Sequence, residues 1–238
     1  MLPNTPIKRA AAWAAIAAIV VYQLVLVALI LIRPELDPSW HTISEWAIGP
    51  HGWVMSVAFV VSALSYAATW SLVRPHLHGV AGRIGICLLG VCVVGATGVG
   101  LFTTDPLGTP RTALSTTGTL HVLFGTSQLV LLPFAALFVS LSLASQAAAW
   151  LPARRVLLAI AGVPLLGFIA FAAYTAVFVV PLGPGAYGPG VNIGWPPRVA
   201  FLSNAVWVIV LASQALRLRN ATPKLLEAPR LEEALASG

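Results

Sequence analysis

Six long apolar segments, almost free of charge, limit what this chain can fold into more than any other feature. Charged residues make up 8% of its 238 residues and hydrophobic residues 58%, whereas soluble globular proteins contain about 25% charged residues. Each segment approaches the roughly 20 residues that a helix needs to cross a hydrocarbon core of about 30 Å. We therefore predict membrane spans at residues 10–32, 53–73, 84–102, 119–145, 156–180 and 199–216.

These segments predict an all-α bundle, because a membrane helix satisfies its own backbone hydrogen bonds. We expect a single transmembrane domain of six helices over residues 1–220 and a cytoplasmic tail over residues 221–238. The loops between the spans are short, so the chain leaves no room for a separate soluble domain.

The basic residues are distributed unevenly among the loops. Of the 13 Lys and Arg residues, ten fall on one side of the predicted membrane: Lys8, Arg9, Arg74, Arg83, Arg154, Arg155, Arg217, Arg219, Lys224 and Arg230. Cytoplasmic loops carry such an excess, so we predict that both termini are cytoplasmic and that the protein is a multi-pass protein of the inner (plasma) membrane. Anionic membrane lipid is a sufficient partner for the net charge of +6, and no nucleic acid is expected. Whether the protein also binds a partner membrane protein or forms a homo-oligomer stays open.

Two polar segments stand out between the apolar ones, HTISEWAIGPHGW at residues 41–53 and TTDPLGTPRTALSTTGTLH at residues 103–121. The order of the spans puts both segments on the outer side, together with the Gly- and Pro-rich loop at residues 181–198. The sequence therefore predicts a polar pocket at the outer face.

The first polar segment contains a possible pair of ligands. His41 and Glu45 are four residues apart, so a helical turn would place both side chains on one face. Such a pair can bind a metal or act as acid and base. The alternative is a polar interfacial turn in which Thr42 or Ser44 caps a short helix. His51, just before the second span, is either a further ligand or an ordinary interfacial side chain.

The second polar segment contributes a carboxylate. Asp105 either caps a turn or directs its side chain at the first polar segment. Arg111 and Arg198 lie on the outer side against the charge bias. Each of them either pairs with Glu45 or Asp105 or binds a phosphate or carboxylate headgroup. Asn204 would extend this polarity into the sixth span.

His121 is predicted at the start of the fourth span, where an ionisable side chain is costly and suggests a function. Thr117, His121, Gly125 and Gln128 follow one another at steps of four, four and three, which places them on one helix face. We expect this stripe to face neighbouring helices or a wet cavity. The alternative is that these residues only provide hydrogen bonds between helices.

Three short motifs together resemble a known family. They are ISEWAIGPHGW, GLFTTDP and TTGTLH, and the residues that carry the likeness are Ile43, Ser44, Glu45, Gly49, Trp53, Asp105, Pro106, His121 and Arg198. The pattern is similar to the bacterial "domain of unknown function 998" family of six-span membrane proteins. The resemblance implies the six-span fold but no particular activity. The Pro196–Pro197 pair before Arg198 departs from the family's pattern.

Two functions fit the outer pocket. The favoured one is a membrane protein that binds a lipid headgroup, a small ligand or a partner protein through Ser44, Glu45, His51, Asp105, Arg111, His121 and Arg198. The other is a membrane-embedded hydrolase acting on lipid through a metal, possible zinc ligands being His41, His51 and His121. Its candidate catalytic residues are His41, Glu45, Asp105 and His121. The sequence contains neither HxxxH nor HExxH, so its spacing does not support the metal site, and whether the protein is an enzyme stays open.

A small-solute transporter is the third hypothesis. Such proteins place polar groups and broken helices near the middle of the membrane. Only Gln23, Gln128 and Asn204 suggest this here.

Overall fold

Seven α-helices account for the six predicted spans in the computed structural model, which describes residues 7–183 and 187–236. They are α1 (Arg9–Ile32), α2 (Gly52–Val73), α3 (Gly79–Leu101), α4 (Thr116–Gln146), α5 (Arg154–Ala161), α6 (Val163–Tyr174) and α7 (Trp195–Ala236). No strand occurs among these described residues. Six segments are long and apolar enough to cross a membrane: Arg9–Ile32, Gly52–His76, Gly79–Leu101, Thr116–Gln146, Ala148–Leu182 and Trp195–Asn220. The predicted all-α, six-span architecture is confirmed.

Several helices begin earlier than predicted, and local chemistry explains why. Helix α4 starts at Thr116 because Ser115 caps it, its hydroxyl oxygen accepting a hydrogen bond from the Gly118 amide at 2.9 Å. Helix α7 starts at Trp195, since Pro196 and Pro197 fall in its first turn, where a missing N–H costs no hydrogen bond. The Pro196–Pro197 pair is therefore part of the helix start.

The fifth span is not one continuous helix. It contains α5, a break at Gly162, α6, a π-helical turn at Thr175–Val179 and a 3₁₀ turn at Val180–Leu182. Pro164 lies in the first turn of α6, where it cannot donate to the preceding carbonyl groups. The span that contributes α6 is thus the most irregular of the six.

Glycines allow α3 to pack closely against both of its neighbours. A Cβ atom added at Gly85 would lie 2.8 Å from the backbone nitrogen of Val139 in α4. One added at Gly100 would lie 2.8 Å from the backbone oxygen of Ser56 in α2. Small residues permit this approach of helix backbones in membranes, so α3 holds α2 and α4 in position.

Three loops meet at one end of the bundle, which we call the site end. They connect α1 to α2 (residues 33–51), α3 to α4 (residues 102–115) and the fifth span to α7 (residues 183–194). The Leu107 amide donates to Glu45 Oε1 at 3.2 Å, and the Gly194 amide donates to the Ser39 carbonyl at 2.9 Å. The predicted gathering of the two polar segments and the fifth loop at one end is therefore observed.

The predicted tail begins beyond the last span. Helix α7 continues from that span as far as Ala236. Residues 1–6 of the predicted domain, residues 184–186 of the fifth loop and residues 237–238 of the tail lie outside the described residues.

Candidate functional site

A serine and a histidine 77 residues apart in sequence form the centre of the site end. The Ser44 hydroxyl lies 2.8 Å from His121 Nε2. Ser44 belongs to the short 3₁₀ helix Ile43–Ala47, and His121 lies in the second turn of α4. The His121 side chain is only 4% exposed.

The other imidazole nitrogen fixes the direction of this hydrogen bond. His121 Nδ1 lies 2.7 Å from the Phe102 carbonyl oxygen. A carbonyl group can only accept, so Nδ1 carries the proton and the Nε2 of the neutral ring accepts from the Ser44 hydroxyl. Phe102 is the C-cap of α3, a position whose carbonyl lacks a partner within the helix. The end of α3 therefore orients His121.

This pair lies in the wall of a pocket of about 270 Å³ between the helices. Apolar side chains from five α-helices and the 3₁₀ helix form most of the wall, among them Ile43, Phe59, Val99, Leu129, Phe171 and Phe201. Polar groups line the rest: Thr42, Ser44, Thr104, His121, Thr126 and Gln128. Val122 and Thr126, at the edge of the pocket on α4, are exposed. The pocket is thus amphipathic and opens at the side of the bundle.

The predicted pairing of His41 with Glu45 is not observed. The helical turn begins at Ile43, so it includes Glu45, whereas His41 lies in a bend before it. Glu45 is buried, and its two carboxylate oxygens accept from the Thr42 amide at 2.9 Å and the Leu107 amide at 3.2 Å. Its role is the capping of the 3₁₀ turn and the attachment of the loop at residues 102–115.

The three histidines considered as metal ligands do not meet. His41 stacks on Trp40 with ring centroids 3.6 Å apart, and its Nδ1 lies 3.1 Å from the Asp37 carbonyl oxygen. His51 is exposed at the start of α2 in a left-handed conformation. Within residues 7–183 and 187–236, no three His, Cys, Asp or Glu side chains come close enough to hold a metal ion. The hypothesised zinc site is not formed by these residues.

Asp105 fixes the start of α4 rather than lining the pocket. Its Oδ2 accepts from the Ser115 amide at 2.8 Å and from the Ser115 hydroxyl at 3.1 Å. Gly118 lies against this carboxylate, and a Cβ atom there would collide with it. The Asp105 carboxylate thus stabilises a helix start, whereas the sequence alternatives were the capping of a turn at Pro106 and a side chain directed at the first polar segment.

Arg111 and Arg198 do not form the ion pairs considered from the sequence. Arg198 is partly buried and donates from Nη1 to the carbonyl groups of Pro38, His41 and Gly194 at 3.1, 3.0 and 2.7 Å. Arg111 is exposed in the turn Arg111–Ala113 and does not line the pocket.

The ion pair that is present among the described residues joins Arg33 and Glu35. The hydrogen bond from Arg33 lowers the pKa of the Glu35 carboxyl group. Arg33 also donates to the Ile48 carbonyl group at 3.0 Å. This pair therefore stabilises the loop between α1 and α2, outside the pocket.

Three of the four residues predicted to form a stripe on α4 face the pocket. His121, Gly125 and Gln128 line it, whereas Thr117 is exposed and contacts the Ser115 hydroxyl. Gln128 Nε2 lies 3.4 Å from the Tyr66 hydroxyl. Asn204 is buried, as expected for a polar extension into the last span.

Sequence reasoning did not identify several residues that shape this pocket. Phe102 supplies only a backbone carbonyl, which no side-chain pattern reveals, although its place at a helix end predicts a carbonyl without a partner. Thr104 lies in the GLFTTDP motif and was not distinguished from its neighbours. Phe171 and Phe201 are indistinguishable in sequence from other lipid-facing aromatic residues.

Comparison with known proteins gives one match. Residues 16–214 match the family described as "Protein of unknown function (DUF998)". No curated protein and no solved structure matches the chain. The matched range includes the paired Ser44 and His121, the pocket between the helices and Arg198. This chain, with its six membrane-spanning-capable helices, therefore belongs to the DUF998 family.

Proposed function

We propose that the protein binds a membrane lipid in the pocket at the site end, with an acyl chain between α4, α6 and α7 and a polar group beside Ser44 and His121. The single observation that carries this proposal is the amphipathic lining of one pocket. Hydroxyl and imidazole groups lie at the Ser44 end, and Phe171, Phe201 and Leu129 form apolar walls. Ligand sites typically combine apolar walls with a few well-placed polar groups in this way.

The size of the pocket favours one chain over a whole lipid. Its volume of about 270 Å³ is just below the lower end of the ~300–1,000 Å³ typical of small-molecule sites. A diacyl lipid would therefore insert one chain and leave the other in the bilayer. An acyl chain that moves from the bilayer into the pocket stays in an apolar environment, so its binding depends on van der Waals packing against the pocket walls and on the polar contacts at the Ser44 end.

The position of the pocket along the helix suits a molecule anchored in the membrane. His121 lies five residues into α4 and Gln128 lies twelve, which corresponds to depths of about 8 and 18 Å along the helix axis. Val122, at the edge, is 49% exposed on the side of the bundle. A lipid can thus enter laterally with its polar group near the interface and its chain toward the centre.

Photocrosslinking tests the proposal directly. The purified protein is reconstituted in vesicles that contain phosphatidylethanolamine with a diazirine on one acyl chain, and a parallel sample contains a diazirine fatty acid. We expect crosslinks at pocket residues on α4 and α6, including Gly125, Leu129 and Phe171. Comparison of the two samples distinguishes an esterified lipid from a free fatty acid as the ligand.

A matched pair of glycine variants provides the control. A Cβ atom at Gly125 would lie 3.6 Å from Val99, so Gly125→Leu fills the pocket without colliding at the first atom. A Cβ atom at Gly90 on α3 would lie 3.7 Å from Trp70 Nε1, outside the pocket. We expect Gly125→Leu, but not Gly90→Leu, to abolish the pocket crosslinks. Equal crosslinking of both variants, spread over the lipid-facing surface, would contradict the proposal.

The transporter hypothesis stays a prediction. The break at Gly162 in the fifth span is the feature that such proteins share with this one.

A further inference from the structure

We propose that Ser44 is a nucleophile and His121 its general base, and that the pair cleaves the acyl ester bond of the lipid in the pocket. This inference rests on the proposed lipid-binding function, since the substrate is the lipid bound there. The proposed nucleophile is a serine, whereas the hydrolase considered from the sequence used a water activated by a metal. Both residues of the pair lie at the site end.

The hydrogen bonds prepare Ser44 for this role. A serine hydroxyl is a weak nucleophile unless an adjacent base accepts its proton. The neutral His121 ring presents an unprotonated Nε2 to the Ser44 hydroxyl at 2.8 Å, because its Nδ1 proton is held by the Phe102 carbonyl group at 2.7 Å. In serine hydrolases a carboxylate normally holds the equivalent Nδ1 proton. A carbonyl group orients the ring equally but carries no full charge, so we expect slower turnover than with a carboxylate.

The Ser44 hydroxyl is accessible from the pocket, and this distinguishes the pair from a purely structural hydrogen bond between a helix and a loop. Ser44 is partly exposed and lines the pocket together with His121. The hydroxyl group of Thr42 belongs to the same wall and can donate to the oxygen that becomes negatively charged. Ser127, by contrast, donates to a carbonyl group of its own helix, that of Leu123 at 2.7 Å.

The reaction needs only the ester and water. Ser44 Oγ attacks the ester carbonyl carbon while its proton passes to His121 Nε2. The bond between that carbon and the alcohol oxygen breaks, and the alcohol leaves with the proton from Nε2. Water then attacks the acyl carbon and gives one proton to Nε2, the bond between that carbon and Ser44 Oγ breaks, and the fatty acid is released. Nε2 returns this proton to Ser44 Oγ, so that ester and water yield acid and alcohol.

Two fluorophosphonate probes with the same reactive group test the inference on the full chain in vesicles. One carries a dodecyl chain and the other an ethyl group. Ser44 Oγ would displace fluoride from phosphorus and gain a stable adduct, which peptide mass spectrometry locates. We expect the adduct at Ser44 in the wild-type protein, formed roughly tenfold or more faster with the dodecyl probe when the two probes are compared at equal concentrations in the bilayer, because its chain occupies the pocket and holds the reactive group beside Ser44.

Variants separate a nucleophile from a structural hydrogen bond. We expect Ser44→Ala to lose the adduct and His121→Gln to slow its formation by about 100-fold or more, as for loss of a general base. Ser127→Ala is the matched control and should label like wild type. The wild-type mapping needs no variant, so the test stands even if a variant does not fold.

The outcomes distinguish the two proposals. Lipid crosslinks in the pocket without any adduct at Ser44 would overturn the nucleophile and leave lipid binding intact. Labelling of Ser44 at equal rates by both probes, without pocket crosslinks, would support the nucleophile and contradict the lipid pocket. An adduct at Ser44 that forms equally fast in His121→Gln would overturn the assignment of His121 as the base.

Discussion

Arg198 lies over the indole ring of Trp46, with its guanidinium carbon 4.5 Å from the ring centroid. Trp46 is buried, and its Nε1 donates to the Leu29 carbonyl group at 3.2 Å. One arginine thus joins the start of α7 to the loop that carries Ser44 and to the end of α1.

Replacement of Arg198 by lysine should weaken this connection. The lysine ammonium group cannot reproduce the planar stacking on Trp46 while it donates to three carbonyl groups. We expect a loss of about 1–3 kcal/mol in stability, seen as a lower unfolding temperature in detergent. Arg111→Lys, at an exposed turn, is the control and should leave the unfolding temperature unchanged. An equal effect of both substitutions would show that the stacking and the three hydrogen bonds contribute nothing specific.

Substitution of Asp105 should loosen the start of α4. Without its carboxylate the Ser115 amide and hydroxyl lose their acceptor, so we expect Asp105→Ala to cost about 1 kcal/mol. Hydrogen exchange of the amides at residues 115–120 should increase, which separates a local effect from global unfolding. Asp37→Ala removes a comparable bond to the Ser39 amide in another loop and should leave exchange in α4 as it was.

Glu45→Gln should weaken the attachment of the loop at residues 102–115 to the loop between α1 and α2. The Thr42 and Leu107 amides donate to different carboxylate oxygens, and a carboxamide replaces one of these oxygens by an NH2 donor, so one of the two amides loses its acceptor. A buried amide without a partner costs about 1–3 kcal/mol. We expect faster proteolysis within residues 102–115 than in the wild type, and a still larger effect for Glu45→Ala. Unchanged cleavage in both variants would mean that the bond to Leu107 does not hold this loop.

The direction of the chain in the membrane is a prediction from charge that cysteine labelling can check. We expect Thr109→Cys, in the loop before α4, to react with a membrane-impermeant maleimide added outside intact cells. Asn220→Cys, at the other end of the last span, should react only after the cells are opened. The native thiols Cys87 and Cys92 lie within α3, and Cys87→Ser with Cys92→Ser removes their background. The reverse pattern would invert the predicted orientation.

The spans were predictable because each depends on local composition. Apolar length alone marks a membrane helix, so α1 and α2 begin within a residue or so of their predicted starts. The break at Gly162 has a local signal in Pro164, which lacks the N–H that an unbroken helix would use. The π-helical turn at Thr175–Val179 has no such signal, and it depends on how the fifth span packs against its neighbours.

Several individual residues of the site could be predicted from the sequence, but the contacts between them could not. The spacing of His121, Gly125 and Gln128 correctly indicated one face of α4. The spacing of His41 and Glu45 misled, because the helical turn that it assumed starts two residues after His41. The pairing of Ser44 with His121 depends on the approach of a loop and a helix that are distant in sequence, and no periodicity records that.

The opening of the pocket beside Val122 determines the concentration unit in which the binding of a lipid must be expressed. A lipid that enters there diffuses in two dimensions and never passes through bulk water. Occupancy of the pocket will therefore follow the mole fraction of that lipid in the bilayer. Addition of an inert lipid will lower the occupancy even when the bulk concentration of the binding lipid is unchanged. Detergent acts as a competing diluent in the same sense, so an apparent affinity measured in micelles depends on the ratio of lipid to detergent.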